Sequence, residues 1–130
     1  MADMKIGIIG AGGRMGQACI RQVTDTDGCA IVAASDIRGS ALIGQDAGDA
    51  AGAGTLGVAV TDDAAAVVAA SDTIIEFTLP GPTVNHVALT AEAGIAHIIG
   101  TTGMEGAQEA ALKAAGEKTV IMHAPNMSLA

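Results

Sequence analysis

Glycine dominates the first group of residues suited to chemistry on a small ligand. The stretch Gly10-Ala11-Gly12-Gly13-Arg14-Met15-Gly16 follows the apolar run Lys5 to Ile9 and spells G-x-x-G-x-x-G. A strict G-x-G-x-x-G would place its last glycine where Met15 stands. The physics is the same in either spelling. Gly10 permits a tight turn out of a strand, a Cβ-free Gly12 or Gly13 admits a pyrophosphate to the backbone, and Gly16 lets the next helix lie close to a sheet. The amides and dipole at that helix start attract an anion, the dipole contributing about 0.3–1 kcal/mol. A tight strand-to-helix turn also uses glycine for steric reasons, so the loop alone is not decisive. Asp36 adds context: it ends a second apolar run 20 residues after Gly16, where a carboxylate can take adenosine ribose hydroxyls. Arg14 reads equally as a phosphate partner or a solvated helix-start cation. Arg38 stands where it could meet a 2′-phosphate, a charge that Asp36 opposes, so the choice between NADH and NADPH stays open. No Lys-Ser/Thr pair follows the loop, which excludes a Walker-type triphosphate site.

Three further groups close later apolar runs: Phe77-Thr78, Gly100-Thr101-Thr102-Gly103 and Ala124-Pro125-Asn126-Met127-Ser128. Turn and capping chemistry accounts for each taken singly. At one edge of a parallel sheet, together with the glycine loop, they would form a binding rim. His86 falls on a helix, His97 within a strand and His123 at a strand end. No two share metal-ligand spacing, so no metal site is expected. Cys19 shares an apolar helical stripe with Met15 and Val23 and reads as core packing, and Cys29 opens the second strand. Asp62 and Asp63 read as helix-start charges.

The elements that must position these residues alternate. Apolar, β-branched runs recur at Lys5 to Ile9, Ala30 to Ser35, Val58 to Val60, Thr73 to Thr78, Ala96 to Ile99 and Thr119 to His123. Most are apolar throughout, as strands covered on both faces are. Helical spacing fills the intervals. From Pro82 as a first helical position, Val84, Val87, Ala88 and Ala91 share one face and Gly94 ends it. Asp62 or Thr61 would cap a helix through Ala70. Ala107, Ala110, Ala111, Ala114 and Ala115 repeat the pattern beside the pair Glu109 and Lys113. Arg38 to Gly57 reads as a long loop with at most one helical turn. Strand–helix alternation predicts a parallel sheet with right-handed crossovers, and with the glycine loop the expected fold is a doubly wound α/β domain in the order 3-2-1-4-5-6.

Composition bounds the partners. The 130 residues suit a single domain, with a core supported by 50% hydrophobic content. One Phe and no Trp or Tyr leave no base-stacking platform, and a net charge of −8 disfavours nucleic acid. Two cysteines and no apolar run of membrane length point to a reduced, cytoplasmic setting with no membrane partner.

Taken together, the glycine loop, Phe77-Thr78, Gly100-Thr101-Thr102-Gly103, Ala124-Pro125-Asn126-Met127-Ser128 and the stretch Ile43 to Gly48 resemble the successive motifs of the dihydrodipicolinate reductase family (4-hydroxy-tetrahydrodipicolinate reductases of lysine and diaminopimelate synthesis). The resemblance implies an NADPH- or NADH-dependent reductase. Gly10, Ala11, Gly12, Gly13, Arg14 and Met15 would hold the pyrophosphate and Asp36 the ribose, with Arg38 nearby. Phe77, Thr78, Gly100, Thr101, Thr102, Ala124, Pro125, Asn126 and Met127 would complete the cofactor site, and Thr102 would reach the substrate. Many members carry Arg directly after the acidic position, where Ile37 stands here. The family's acid-and-clamp cluster belongs to a second domain that takes the small dicarboxylate substrate and builds a homotetramer. That domain would lie beyond Ala130, so residues 1–130 are expected to be the dinucleotide-binding domain, with no catalytic residue and little activity alone. A non-catalytic dinucleotide-binding or redox-sensing module is the alternative, and an aspartate-pathway dehydrogenase domain a third reading.

Overall fold

A computed structural model describes residues 3–101 and 103–123. The strands are β1 (Met4–Ile9), β2 (Cys29–Ser35), β3 (Val60–Thr61), β4 (Thr73–Glu76), β5 (Ala96–Ile99) and β6 (Ile121–His123). The helices are α1 (Arg14–Thr24), α2 (Ala47–Ala51), α3 (Ala64–Ala70), α4 (Pro80–Ala93) and α5 (Gly106–Gly116). All strand pairs are parallel, as the alternation predicts, and the sheet order is the expected β3-β2-β1-β4-β5-β6.

Strands apolar on both sides feed a core on each face of the sheet. Ile6 and Ile8 of β1 pack with Ile20 and Val23 of α1 and Ala47 and Ala51 of α2. Ile9 joins Val67 and Val68 of α3 and Ile74 of β4. A third cluster sets Val87 and Ala91 of α4 against Ile99 and against Leu112 and Ala115 of α5. Ile8, Ile20, Ile74 and Ile99 are completely buried; side chains of this size each stabilise the fold by about 1.5–3 kcal/mol.

The differences from expectation are local. Helix α4 starts at Pro80, two residues before Pro82, because Pro80 also tolerates the first helical position. Its end at Gly94 is as expected, with φ +73. The cap of α3 is Asp63, whose carboxylate accepts from the Ala66 amide, and neither Asp62 nor Thr61 fills that place. Strand β4 stops at Glu76, leaving Phe77 and Thr78 in the turn beyond it, and β3 is only Val60–Thr61.

The long loop contains the one helical turn expected, organised by Asp46. Asp46 Oδ2 accepts from the amides of Asp49 at 2.9 Å and Leu56 at 3.0 Å, and Oδ1 from Gly57 at 2.7 Å and Val58 at 2.9 Å. These bonds, Leu56's foremost, hold the Asp46 carboxyl down to about 2. No helix of the described residues is long and apolar enough to cross a membrane.

Candidate functional site

At the carboxyl ends of β1, β2 and β4 the chain leaves a cleft of about 510 Å³. Its floor is the glycine loop. Gly10 has φ +96, and a Cβ there would overlap the Phe77 carbonyl, so the turn needs glycine on both counts. Gly16 is equally constrained: a Cβ would overlap the Gly10 carbonyl, so only glycine lets α1 start this close to β1. Gly12 faces sideways, where a Cβ would overlap the Asp36 carboxylate. Gly13 lines the cleft with almost nothing near its missing side chain, and it caps α1 without a side-chain hydrogen bond. The first turn of α1 therefore presents its amides without a side-chain acceptor, as an anion site requires.

Asp36 lines the opposite wall with Ile37 and Arg38. Its amide donates to the Thr61 carbonyl at 2.9 Å, fixing the end of β2 to β3, and its Oδ2 accepts from the Ser40 hydroxyl at 2.7 Å. Arg38 is exposed and makes no ion pair among the described residues. Gly10, Gly13, Asp36, Arg38, Phe77 and Thr78 thus share one cleft, as the spacing predicts. Ala11 is buried beneath it, while Arg14 is exposed and Met15 half-buried at the start of α1. Gly100 is half-buried after β5. Thr101 is buried, its hydroxyl bonded inward to Thr83 and its oxygen 3.3 Å from the Thr78 amide, so it supports the wall from behind. Thr102, Ala124, Pro125, Asn126 and Met127 lie outside the described residues.

Sequence reasoning did not single out what stands behind Thr78. Glu76, the last residue of β4, is completely buried, and its carboxylate gathers four side chains. Oε1 meets His97 Nε2 of β5 at 2.8 Å. Oε2 meets His86 Nδ1 of α4 at 2.7 Å and accepts from the hydroxyls of Thr83, at 2.9 Å, and Thr78. On its far side His97 Nδ1 lies 2.9 Å from the Thr90 hydroxyl. Hydrogen-bond counting assigns the protons. A carboxylate surrounded by donors is ionised, so both imidazoles turn an N–H toward it, while the Thr90 hydroxyl lies within reach of both His97 Nδ1 and the Val87 carbonyl. Burial pushes the Glu76 carboxyl up, but the His86 and His97 hydrogen bonds, the His86 charge and Thr78 outweigh it and hold it at about 2.

The network joins β4, β5 and α4 directly behind the cleft. His86 belongs to both, since its ring lines the cleft while its Nδ1 is held from behind. His123 Nε2 donates to the Thr101 carbonyl at 2.8 Å and ties the end of β6 to the end of β5. One signal for the network was present: Glu76 interrupts the otherwise apolar run Thr73 to Phe77, and a carboxylate in a strand covered on both faces needs partners. Among the described residues no three His, Cys, Asp or Glu gather as a metal site.

Comparison with known proteins supplies the context. The family model "Dihydrodipicolinate reductase, N-terminus" matches residues 4–127. The 4-hydroxy-tetrahydrodipicolinate reductase of Allorhizobium ampelinum is 50% identical over 126 residues, covering 97% of this chain and 47% of the relative. That of Afipia carboxidovorans is 42% identical over 129 residues, covering 99% of this chain and 47% of the relative. The chain therefore spans about half the length of the curated relatives it matches. Among solved structures, the dipicolinate-bound dihydrodipicolinate reductase of Paenisporosarcina sp. TG-14 superposes with TM-score 0.73 at 21% identity, over 95% of this chain and 48% of that one. The NADPH complex of 1-deoxy-D-xylulose 5-phosphate reductoisomerase from Zymomonas mobilis gives TM-score 0.61 at 14% identity, over 93% and 38%. At these identities the two structures bear on the fold alone.

Proposed function

The chain belongs to the dihydrodipicolinate reductase family, and on that premise we propose that it is the nicotinamide-dinucleotide-binding domain of a 4-hydroxy-tetrahydrodipicolinate reductase. The observation that carries the reading is the pairing, across one cleft, of an uncapped helix start at Gly13 with a carboxylate at Asp36. The first suits a pyrophosphate and the second a ribose diol, and Gly12 brings the two close together.

Each residue then has a physical role. The α1 amides and Arg14 face the phosphates, and the bare Gly13 backbone lets them approach. Asp36 accepts ribose hydroxyls. Phe77 and Thr78 line the far wall, braced by Thr101 and Glu76. Gly100, Thr102 and Ala124 to Met127 complete the nicotinamide end in this reading, with Thr102 toward the substrate. The bound dinucleotide supplies the hydride. The reading carries with it a dicarboxylate substrate, a substrate and tetramerisation domain outside these 130 residues, and a place in cytoplasmic lysine and diaminopimelate synthesis.

Calorimetric titration of the 130-residue chain with NADH and NADPH tests the cofactor half of this reading, and binding of at least one is expected. Reduction of freshly generated substrate by the same chain should be negligible, because proton donation needs an acid within about 3 Å of the reacting atoms. Failure of both dinucleotides to bind refutes the nucleotide reading. Turnover on the order of 10 per second would instead put a catalytic acid among these residues, with His123 the first to replace.

A further inference from the structure

We propose that Ser40 is the specificity-determining partner of Asp36, and that together they fit the adenosine end of the cleft to a free 2′-hydroxyl, so that the chain takes NADH in preference to NADPH. The proposal rests on the dinucleotide reading above. Its structural basis is the way the Asp36 carboxylate is held. The Asp36 main chain is bound to Thr61, and the Ser40 hydroxyl reaches back four residues to Oδ2 at 2.7 Å. The direction of that bond is set, because the Ser40 oxygen accepts from the Leu42 amide at 3.2 Å and its single proton is then given to the carboxylate. Gly12 leaves room for Oδ2, which a Cβ at that position would overlap. The carboxylate is thus fixed beside the phosphate loop. Oδ1 has no hydrogen-bond partner among the described residues and keeps its acceptor sites for a ligand.

A carboxylate held in this way distinguishes the two cofactors by what each presents to it. A ribose diol brings donors. A 2′-phosphate at neutral pH brings acceptors and a charge near −2. Arg38 is the residue that would oppose this preference, since it lines the same cleft. Two carboxylates, Asp36 and Asp62, line that cleft with it, so the charge of the lining is negative before any ligand arrives. Ser40 decides whether Asp36 keeps its position. Without that hydroxyl the carboxylate can rotate away and no longer opposes a phosphate beside Arg38. Ser40 is a positioning residue, acting through Asp36.

The experiment measures dissociation constants for NADH and NADPH by calorimetry on the wild-type chain, Ser40→Ala, Ser40→Thr, Asp36→Ala and the double variant, with thermal unfolding as the folding control. The wild type should favour NADH by about tenfold or more, the size of one hydrogen bond to a charged group. Ser40→Ala should weaken NADH several-fold, roughly the same size of effect, and move the NADH-to-NADPH ratio toward NADPH. Ser40→Thr should restore the ratio, and in the Asp36→Ala background loss of Ser40 should add nothing. Equal affinity of the wild type for both cofactors, or an equal loss of both in Ser40→Ala with unchanged unfolding, overturns the proposal and leaves the dinucleotide reading standing. Binding of neither cofactor by the wild type overturns both.

Discussion

In the glycine loop after β1 the chain keeps side chains out, whereas behind the β4–β5 edge it packs polar ones in. At Gly10, Gly12 and Gly16 even a methyl group would strike backbone or a carboxylate, and Gly13 leaves open space facing the cleft. Behind Phe77 and Thr78, Glu76, His86, His97, Thr83, Thr90 and Thr101 form one connected network. Among the described residues, no buried side-chain nitrogen or oxygen lacks a partner. The first side is shaped by sterics and fails when something is added. The second is shaped by electrostatics in a low dielectric and fails when something is removed.

The largest effect should come from emptying the polar side. Glu76→Ala leaves two histidines and two hydroxyls without their common acceptor, and breaking a buried pair of this kind costs about 3–5 kcal/mol. Denaturant unfolding measures it, and a loss below about 1 kcal/mol would mean the network behaves like a surface pair.

Acid tests the same side without a mutation. Glu76 titrates near 2 in the folded chain against an ordinary 4.5, so the unfolded chain binds the proton first. Its contribution is complete above about pH 4.5 and is lost as pH falls toward 2. Asp46 is lowered in the same direction and loses its contribution in a similar range. Unfolding of Asp46→Asn between pH 5 and pH 2 should therefore keep the part of the acid slope that belongs to Glu76. A flat profile in that variant would remove Glu76 from the account.

The glycine side should split under a paired test. Gly16→Ala drives a methyl group into the Gly10 carbonyl and should cost about 1–3 kcal/mol of stability. Gly13→Val meets open space, so its stability should change by less than about 1 kcal/mol while dinucleotide affinity falls at least about tenfold. Unchanged affinity in Gly13→Val would reduce the loop to a tight turn.

The asymmetry also explains what could be read before the fold was known. Glycine, Asp36 and the residues ending each run are local signals, because a turn and a helix start are made from neighbours in the chain. They identified the cleft-lining residues Gly10, Gly13, Asp36, Arg38, Phe77 and Thr78 and the single turn within Arg38 to Gly57. The polar network was not legible in that way. Its members are spread from Glu76 to Thr101, and His86 and His97 read as a helix residue and a strand residue with no common purpose. Thr101 reads from the sequence as a rim residue, and the fold buries it with its hydroxyl against Thr83.

Alternating apolar strands and helices, with glycine where the backbone must turn or approach closely, determined by themselves a parallel doubly wound sheet and the edge at which a ligand would sit. Only the tertiary structure decided that Glu76 would be ionised in the core, because its charge is tolerable only where β5 and α4 bring His97 and His86 within hydrogen-bonding distance. It also decided the orientation of Asp36, through the Ser40 hydroxyl bond and the space that Gly12 leaves. Spacing along a chain specifies which residues share a strand end. The direction of a side chain depends on partners that meet it only when the chain has folded.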